Sequence, residues 1–224
     1  LNKKILIVAA HPDDEILGCS GSVTKLVNQG YEAHVLILST GITSRLKDKG
    51  NKKKLAILKQ QAKEANKIIG ITNVTFLNLP DQKFDTVSIL KIVQSIEYYI
   101  DLIKPEIVFT HFANDINKDH QITNEAVLTA TRPMVGQSVK RIYAFEIVSS
   151  TEWNYPLTFA PNVYINIENT LKNKIDAMDC YQLELREYPH QRSLKNIELN
   201  AEYWGRRVGL DKAEAFQLLR NVIS

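Results

Sequence analysis

The chain has 224 residues, 44% of them hydrophobic and 24% charged. That is enough for one substantial core, and a formal net charge of +3 is too small to argue for nucleic acid as a partner. Two cysteines, Cys19 and Cys180, exclude a disulfide framework, and no apolar run approaches the length of a membrane span. With no signal peptide, internal repeat or linker in view, the expectation is a cytoplasmic, soluble chain folded as one domain over residues 1–224.

Residues 5–10 are uninterruptedly apolar and have the branching of a strand buried on both faces, as in a parallel sheet. The chain then changes character, to His11-Pro12-Asp13-Asp14-Glu15. Pro12 suits a turn or a first helical position. The three carboxylates favour the positive N-terminus of the helix that Ile16, Leu17, Val23 and Leu26 continue. An imidazole and carboxylates delivered to one small, shielded volume repel and lose solvation unless a divalent cation sits among them. A capping Asp beside a structural His is the plainer alternative, but three acidic residues directly after a buried strand favour the metal.

Gly30 ends the first helix, and residues 31–39 read as a second strand in which His34 is explained by sheet packing. The loop over 40–45 then falls on the same rim of a parallel sheet as His11, which singles out Arg45 from the basic residues that follow. Residues 52–69 carry apolar side chains at 55, 58, 62, 65 and 69, a helical stripe with a solvated basic face. A short strand at 74–77, a turn-rich stretch at 79–85, a helix over 89–103 and a fourth strand at 106–110 come next. At that strand's end stands a second polar cluster, from His111 to His120, before a helix over 121–131.

In a doubly wound sheet the second and third strands stack to one side of the first, and the fourth lies on the other. The loops after strands one and four therefore diverge around a crevice where such folds place ligands. His11 and Asp14 form one wall. A histidine from 111–120 would complete two imidazoles and one carboxylate, with a position open for water. His111 and His120 both qualify; rigid placement at a helix start favours His120. Asp115 and Asp119 could orient the imidazoles from behind. Asp13, beside a ligand but pointing elsewhere, could take a proton from attacking water.

The last third is expected to hold strands at 141–148 and 162–167 and helices at 170–184, 194–204 and 211–222. The polar and aromatic loop 149–156 contains Trp153, which can stack on a sugar or simply pack. Tyr188-Pro189-His190 is a turn that holds a histidine outside a helix.

The pair Ala10-His11-Pro12-Asp13-Asp14-Glu15 and Asp115-x-Asn117-x-Asp119-His120 resembles the two signature motifs of the LmbE-like, or PIG-L, N-deacetylases. The likeness extends through Leu79-Pro80-Asp81, residues 126–133 and Tyr188-Pro189-His190-Gln191-Arg192-Ser193. It implies a Rossmann-like α/β fold, mostly parallel with flanking helices, and removal of acetyl from an N-acetylglucosamine-type sugar or glycoconjugate. By the same likeness His11, Asp14 and His120 bind Zn2+ and Asp13 is the general base. Many members carry a histidine where this chain has Asn117, thought to help stabilise the charged intermediate. Asparagine donates a hydrogen bond but carries no proton or charge, so His190 and Arg45 are candidates to compensate.

Three rivals are weaker. A nucleotide-binding Rossmann protein needs a glycine-rich first turn, where this chain has carboxylates that repel phosphate. A non-haem iron enzyme shares the ligand set, with Fe2+ in place of zinc, but needs a co-substrate site that the sequence does not reveal. A sugar-binding relative without turnover is suggested only by Asn117. A homo-oligomer is compatible with the sequence.

Overall fold

A computed structural model describes residues 3–39, 41, 52–156 and 158–223. Its first strand, β1 (Lys4–Ala9), is buried on both sides and hydrogen-bonds in parallel to β2 (Glu32–Ser39) and β4 (Ile107–His111). Ile5, Ile7 and Ala9 face one core layer and Leu6, Val8 and Ala10 the other, so the two-sided apolar run divides by the strand's period of two. The first layer lies beneath α1 (Asp14–Asn28), α2 (Lys52–Ile68) and α5 (Leu171–Asp179), the second beneath α3 (Ile89–Ile103) and α4 (Lys118–Ala130). Along α2 the stripe is buried at Leu58, Ala62 and Ala65 and, just past the helix, at Ile69, with Leu55 half-buried.

With β3 (Asn73–Leu79), β5 (Arg141–Phe145), β6 (Val163–Asn166) and β7 (Ala213–Asn221), the sheet runs β3-β2-β1-β4-β5-β7-β6. The first five strands are parallel and the switch point lies between β1 and β4, as expected from the sequence. The last part differs. Residues 211–222 were expected as a helix, yet Ala213–Asn221 forms an antiparallel strand inserted between β5 and β6. Its Ala, Glu, Gln and Leu content favours a helix locally; two open strand edges that need hydrogen-bond partners override that preference. The expected helix over 170–184 ends at Asp179, and the turns that follow bring Tyr181 and Glu184 toward the site. α6 (Leu194–Arg206) completes this side.

Two contacts press α1 onto the sheet. Gly18 sits so close to the Phe145 ring that an added Cβ would lie 2.4 Å from Cδ2, a separation no side chain tolerates. A buried ion pair, Lys174 Nζ to Glu214 Oε1 at 2.6 Å, reaches into the helix itself. Lys174 donates to the Leu17 carbonyl at 2.7 Å, and Glu214 accepts from the amides of Gly21 and Ser22 at 3.0 and 2.7 Å. Leu17 and Gly21 would be mutual partners in a regular helix, so the pair is spliced into α1 one turn beyond Asp14. No helix among the described residues is long and apolar enough to cross a membrane.

Removing one partner leaves a buried charge and two amides unserved. Glu214→Ala should therefore lower unfolding free energy by roughly 3–5 kcal/mol, read from urea denaturation.

Candidate metal centre

β1 ends inside the protein, and the turn after it is held in a conformation that ordinary residues avoid. Asp13 has φ 97°, in the left-handed region that asparagine and aspartate enter more readily than other side chains. Its amide donates to Glu15 Oε2 at 3.1 Å. Glu15 is itself anchored by the Tyr181 hydroxyl and by Asn66 of α2, and burial pushes it up to about 7 against those hydrogen bonds. The third acidic residue of the motif is thus a brace for the turn.

The turn presents His11 and Asp14 to the first turn of α4. The side-chain oxygen of Asn117 caps that helix by accepting from the Asp119 amide at 2.9 Å, so α4 starts three residues earlier than expected and carries Asp119 and His120 within it. Ligand atoms of His11, Asp14 and His120 lie within 4.8 Å of one another, and all three residues are buried. Asp14 Oδ2 is 3.3 Å from His11 Nδ1 and 3.4 Å from His120 Nε2. Asp14 Oδ1 and His120 Nε2 are buried without a hydrogen-bond partner among the described residues, an arrangement that costs about 1–3 kcal/mol per group if nothing fills it. A divalent cation between them would satisfy both, and a two-histidine, one-carboxylate donor set suits zinc or ferrous iron.

The outer nitrogens are already engaged. His11 Nε2 bonds Asp119 Oδ2 at 3.0 Å, and Asp119 also accepts from the amides of Gln82 and Phe84. His120 Nδ1 lies 3.3 Å from Asp115 Oδ1, and Asp115 further accepts from the hydroxyls of Ser150 and Thr151. Each imidazole thereby turns its other nitrogen toward Asp14, Nδ1 in His11 and Nε2 in His120, and deprotonation there would free a lone pair for a cation. His111 plays another part. Its Nε2 accepts the Ala10 amide at 2.9 Å and its ring stacks on His120, while burial and the neighbouring His120 hold it well below the ordinary imidazole range.

The field favours positive charge. Although burial works against it, hydrogen bonds to Asp119 and Asp14 push His11 up to about 10, and Asp14 and Asp115 raise His120. Asp14 is held well below its usual range, despite burial, by His120 and His111. A second acidic grouping, His11 with Asp81 and Asp119, shares this corner, with Asp81 Oδ1 3.5 Å from His11 Nε2.

Asp13 faces away from this cluster. Its Oδ2 takes a 2.9 Å ion pair from Arg192, which also reaches Glu184 at 3.2 Å and the Ser149 hydroxyl at 2.7 Å. Burial raises the Asp13 carboxyl well above its usual range, with Arg192 opposing. Sequence reasoning marked the 188–193 stretch but gave Arg192 no role; nothing local ties it to Asp13, 179 positions away. Asp81 and Gln82 were also missed, though they follow β3 on the same rim as His11, which is the signal that would have found them. His190 accepts the Arg192 amide through Nδ1 at 3.0 Å, and its ring meets Trp153 edge-on at 6.1 Å, with Trp153 44% exposed. Arg45 lies outside the described residues.

The family model described as PIG-L, GlcNAc-PI de-N-acetylase, matches residues 6–131, more than half of the chain, and spans His11, Asp14 and His120. The chain belongs to the PIG-L family. It is a member of a deacetylase family, whose enzymes hydrolyse amide C–N bonds. A probable N-acetyl-alpha-D-glucosaminyl L-malate deacetylase 2 of Bacillus cereus is 24% identical over 187 residues, covering 81% of this chain and 84% of that one. The N,N'-diacetylchitobiose deacetylase of Pyrococcus horikoshii superposes with TM-score 0.79 over 97% of this chain and 84% of its own, at 17% identity. GalB of Pseudomonas putida, a 4-carboxy-2-hydroxymuconate hydratase, superposes with TM-score 0.78 over 99% and 98% at 21% identity. At such identities the superpositions show a shared PIG-L fold, and one neighbour runs other chemistry on it.

Asp14→Ala and His120→Ala should each abolish retention of an added divalent metal after dialysis, measured by plasma mass spectrometry with zinc and ferrous iron as the probes. Asp119→Asn should retain the site and weaken zinc affinity by about 10–100-fold, the usual effect of removing a group that orients a ligand.

Proposed function

We propose that this PIG-L member is a zinc-dependent hydrolase that removes the N-acetyl group from an N-acetylglucosamine-type sugar or glycoconjugate in the cytoplasm. The observation that carries the reading is the division of labour between two adjacent carboxylates: Asp14 turned to the imidazoles, Asp13 turned to Arg192. The N-acetylated sugars in the names of relatives support the substrate class.

A bound divalent ion supplies Lewis acidity, polarising the amide carbonyl and lowering the pKa of water toward ~7. Asp13 takes the proton that the attacking water loses as the new C–O bond forms. When the C–N bond breaks, Asp13 returns that proton to the departing amine, which leaves acetate and a free amino sugar. Arg192 keeps the Asp13 carboxylate aimed and out of the ligand set.

His190 is assigned a hydrogen-bonding role. With Nδ1 accepting the Arg192 amide, the proton of the neutral ring sits on Nε2. Burial and the charges of Arg186 and Arg192 lower its pKa from 6.5, so it is neutral at physiological pH and donates to the developing oxyanion without giving up a proton. Asn117, its oxygen committed to the helix cap, contributes its amide N–H to the same charge. Trp153, beside His190, contacts the sugar or its substituent.

Asp13→Asn should keep its zinc and lose about 10²–10⁴-fold in kcat with KM little changed, measured as acetate release from a panel of N-acetylated sugars. A zinc-loaded wild-type protein that releases acetate from none of them would refute the reading. Because the pKa of His190 is lowered, its ring is already deprotonated once pH passes 6.5. Activity should therefore not fall as pH rises through that value, and His190→Ala should lower kcat without changing the shape of the profile.

A further inference from the structure

Among the described residues, nothing covers the apolar side chains on the solvent side of α3. Ile92, Val93, Ile96, Ile100 and Ile103 fill the core side, yet Leu90, Tyr98 and Leu102 are 60%, 62% and 64% exposed on the other. Residues 90, 94, 98 and 102 form one i, i+4 row along the helix, of the kind that packs into the groove of another helix. Next to its C-terminal end an open trough of about 420 Å³ runs between α3 and the outer strands, lined by Tyr99, Leu102, Leu36, Val74 and Thr75 among others. β3, the sheet's edge on that side, is only half covered.

We propose that a second copy of this chain covers this face, its α3 packed antiparallel on the first about a two-fold axis at the level of Ile96. The charge and shape pattern of the helix carries the choice of partner. Reversed about residue 96, Leu90 falls opposite Leu102, Gln94 opposite Tyr98 and Lys91 opposite Asp101. A two-fold contact demands that a surface complement its own reversal, and here apolar meets apolar, amide meets phenol and cation meets anion. Each pair occurs twice, so the dimer gains two intermolecular Lys91–Asp101 ion pairs. Asp101 is bonded to Lys104 on its own helix at 2.8 Å, and a side chain that is 76% exposed is accessible to the partner's Lys91 as well. The flanking Glu97 is held by Arg132 at 3.2 Å and meets no like charge in the reversed register. The partner's Leu90 arrives beside Leu102 on the wall of the trough, which shields the largest exposed apolar surface of α3. A different protein would have no reason to match this internal two-fold pattern.

Sedimentation equilibrium of the full chain at micromolar concentration tests the contact. The expected result is a mass of at least two chains that falls at least twofold in Leu102→Glu. Lys91→Asp and Asp101→Lys, each placing like charges opposite one another, should weaken association by roughly tenfold, and the double variant should restore it. Circular dichroism melting of the charge variants, whose side chains are exposed, confirms that the fold is retained. A wild-type mass of one chain overturns the proposal. So does an assembly whose mass Leu102→Glu leaves unchanged, or a double variant that dissociates as readily as either single one.

Discussion

The structure depends on a carboxylate that cannot be left alone. Asp14 stands just beyond a strand buried on both faces, with His11 and His120 around it and one of its oxygens without a donor among the described residues. Ionised groups so far from water are tolerable only where opposite charge is concentrated, and the surrounding Asp119 and Asp115 raise the demand. Those two aspartates take the outer nitrogens of the imidazoles and leave the inner nitrogens converging on Asp14. The arrangement suits a cation, and His111 is committed to the Ala10 amide instead.

The two parts of the chain contribute differently. Residues up to 131, the part that matches the PIG-L family model, supply the cluster around Asp14. The remainder supplies the other wall: Ser150 and Thr151 behind Asp115, and Ser149, Glu184, His190 and Arg192 around Asp13. β7 makes that wall possible, because its insertion between β5 and β6 brings Glu214 under α1 and locks the helix that begins with Asp14. A neighbour of the same fold that is a hydratase fits this division, since a frame fixes where a site lies and the side chains of its walls fix what it does.

Asn117 illustrates how a single residue can hold two kinds of information. Its lack of a titratable ring, where the family resemblance leads one to expect a histidine, is a chemical matter legible in the sequence. Its place at the start of α4, with one polar atom spent on the cap, is a structural one. The cap sets the position of Asp119 and His120 one turn later, so the residue shapes the cluster whatever it does for the substrate.

The sequence by itself determined the parallel half of the sheet, the crevice between the first and fourth strands, and the two polar motifs that meet there. The physical reason is that buried parallel strands announce themselves as continuous apolar runs, and polar residues directly after them have no other place to go than the rim. It did not determine the last strand, where Ala213–Asn221 obeys open hydrogen-bonding edges over its own helical preference. Nor did it reveal that Arg192 holds Asp13, or that His111 accepts the Ala10 amide. Such choices rest on which atoms of distant residues meet, and only chain folding in three dimensions decides that.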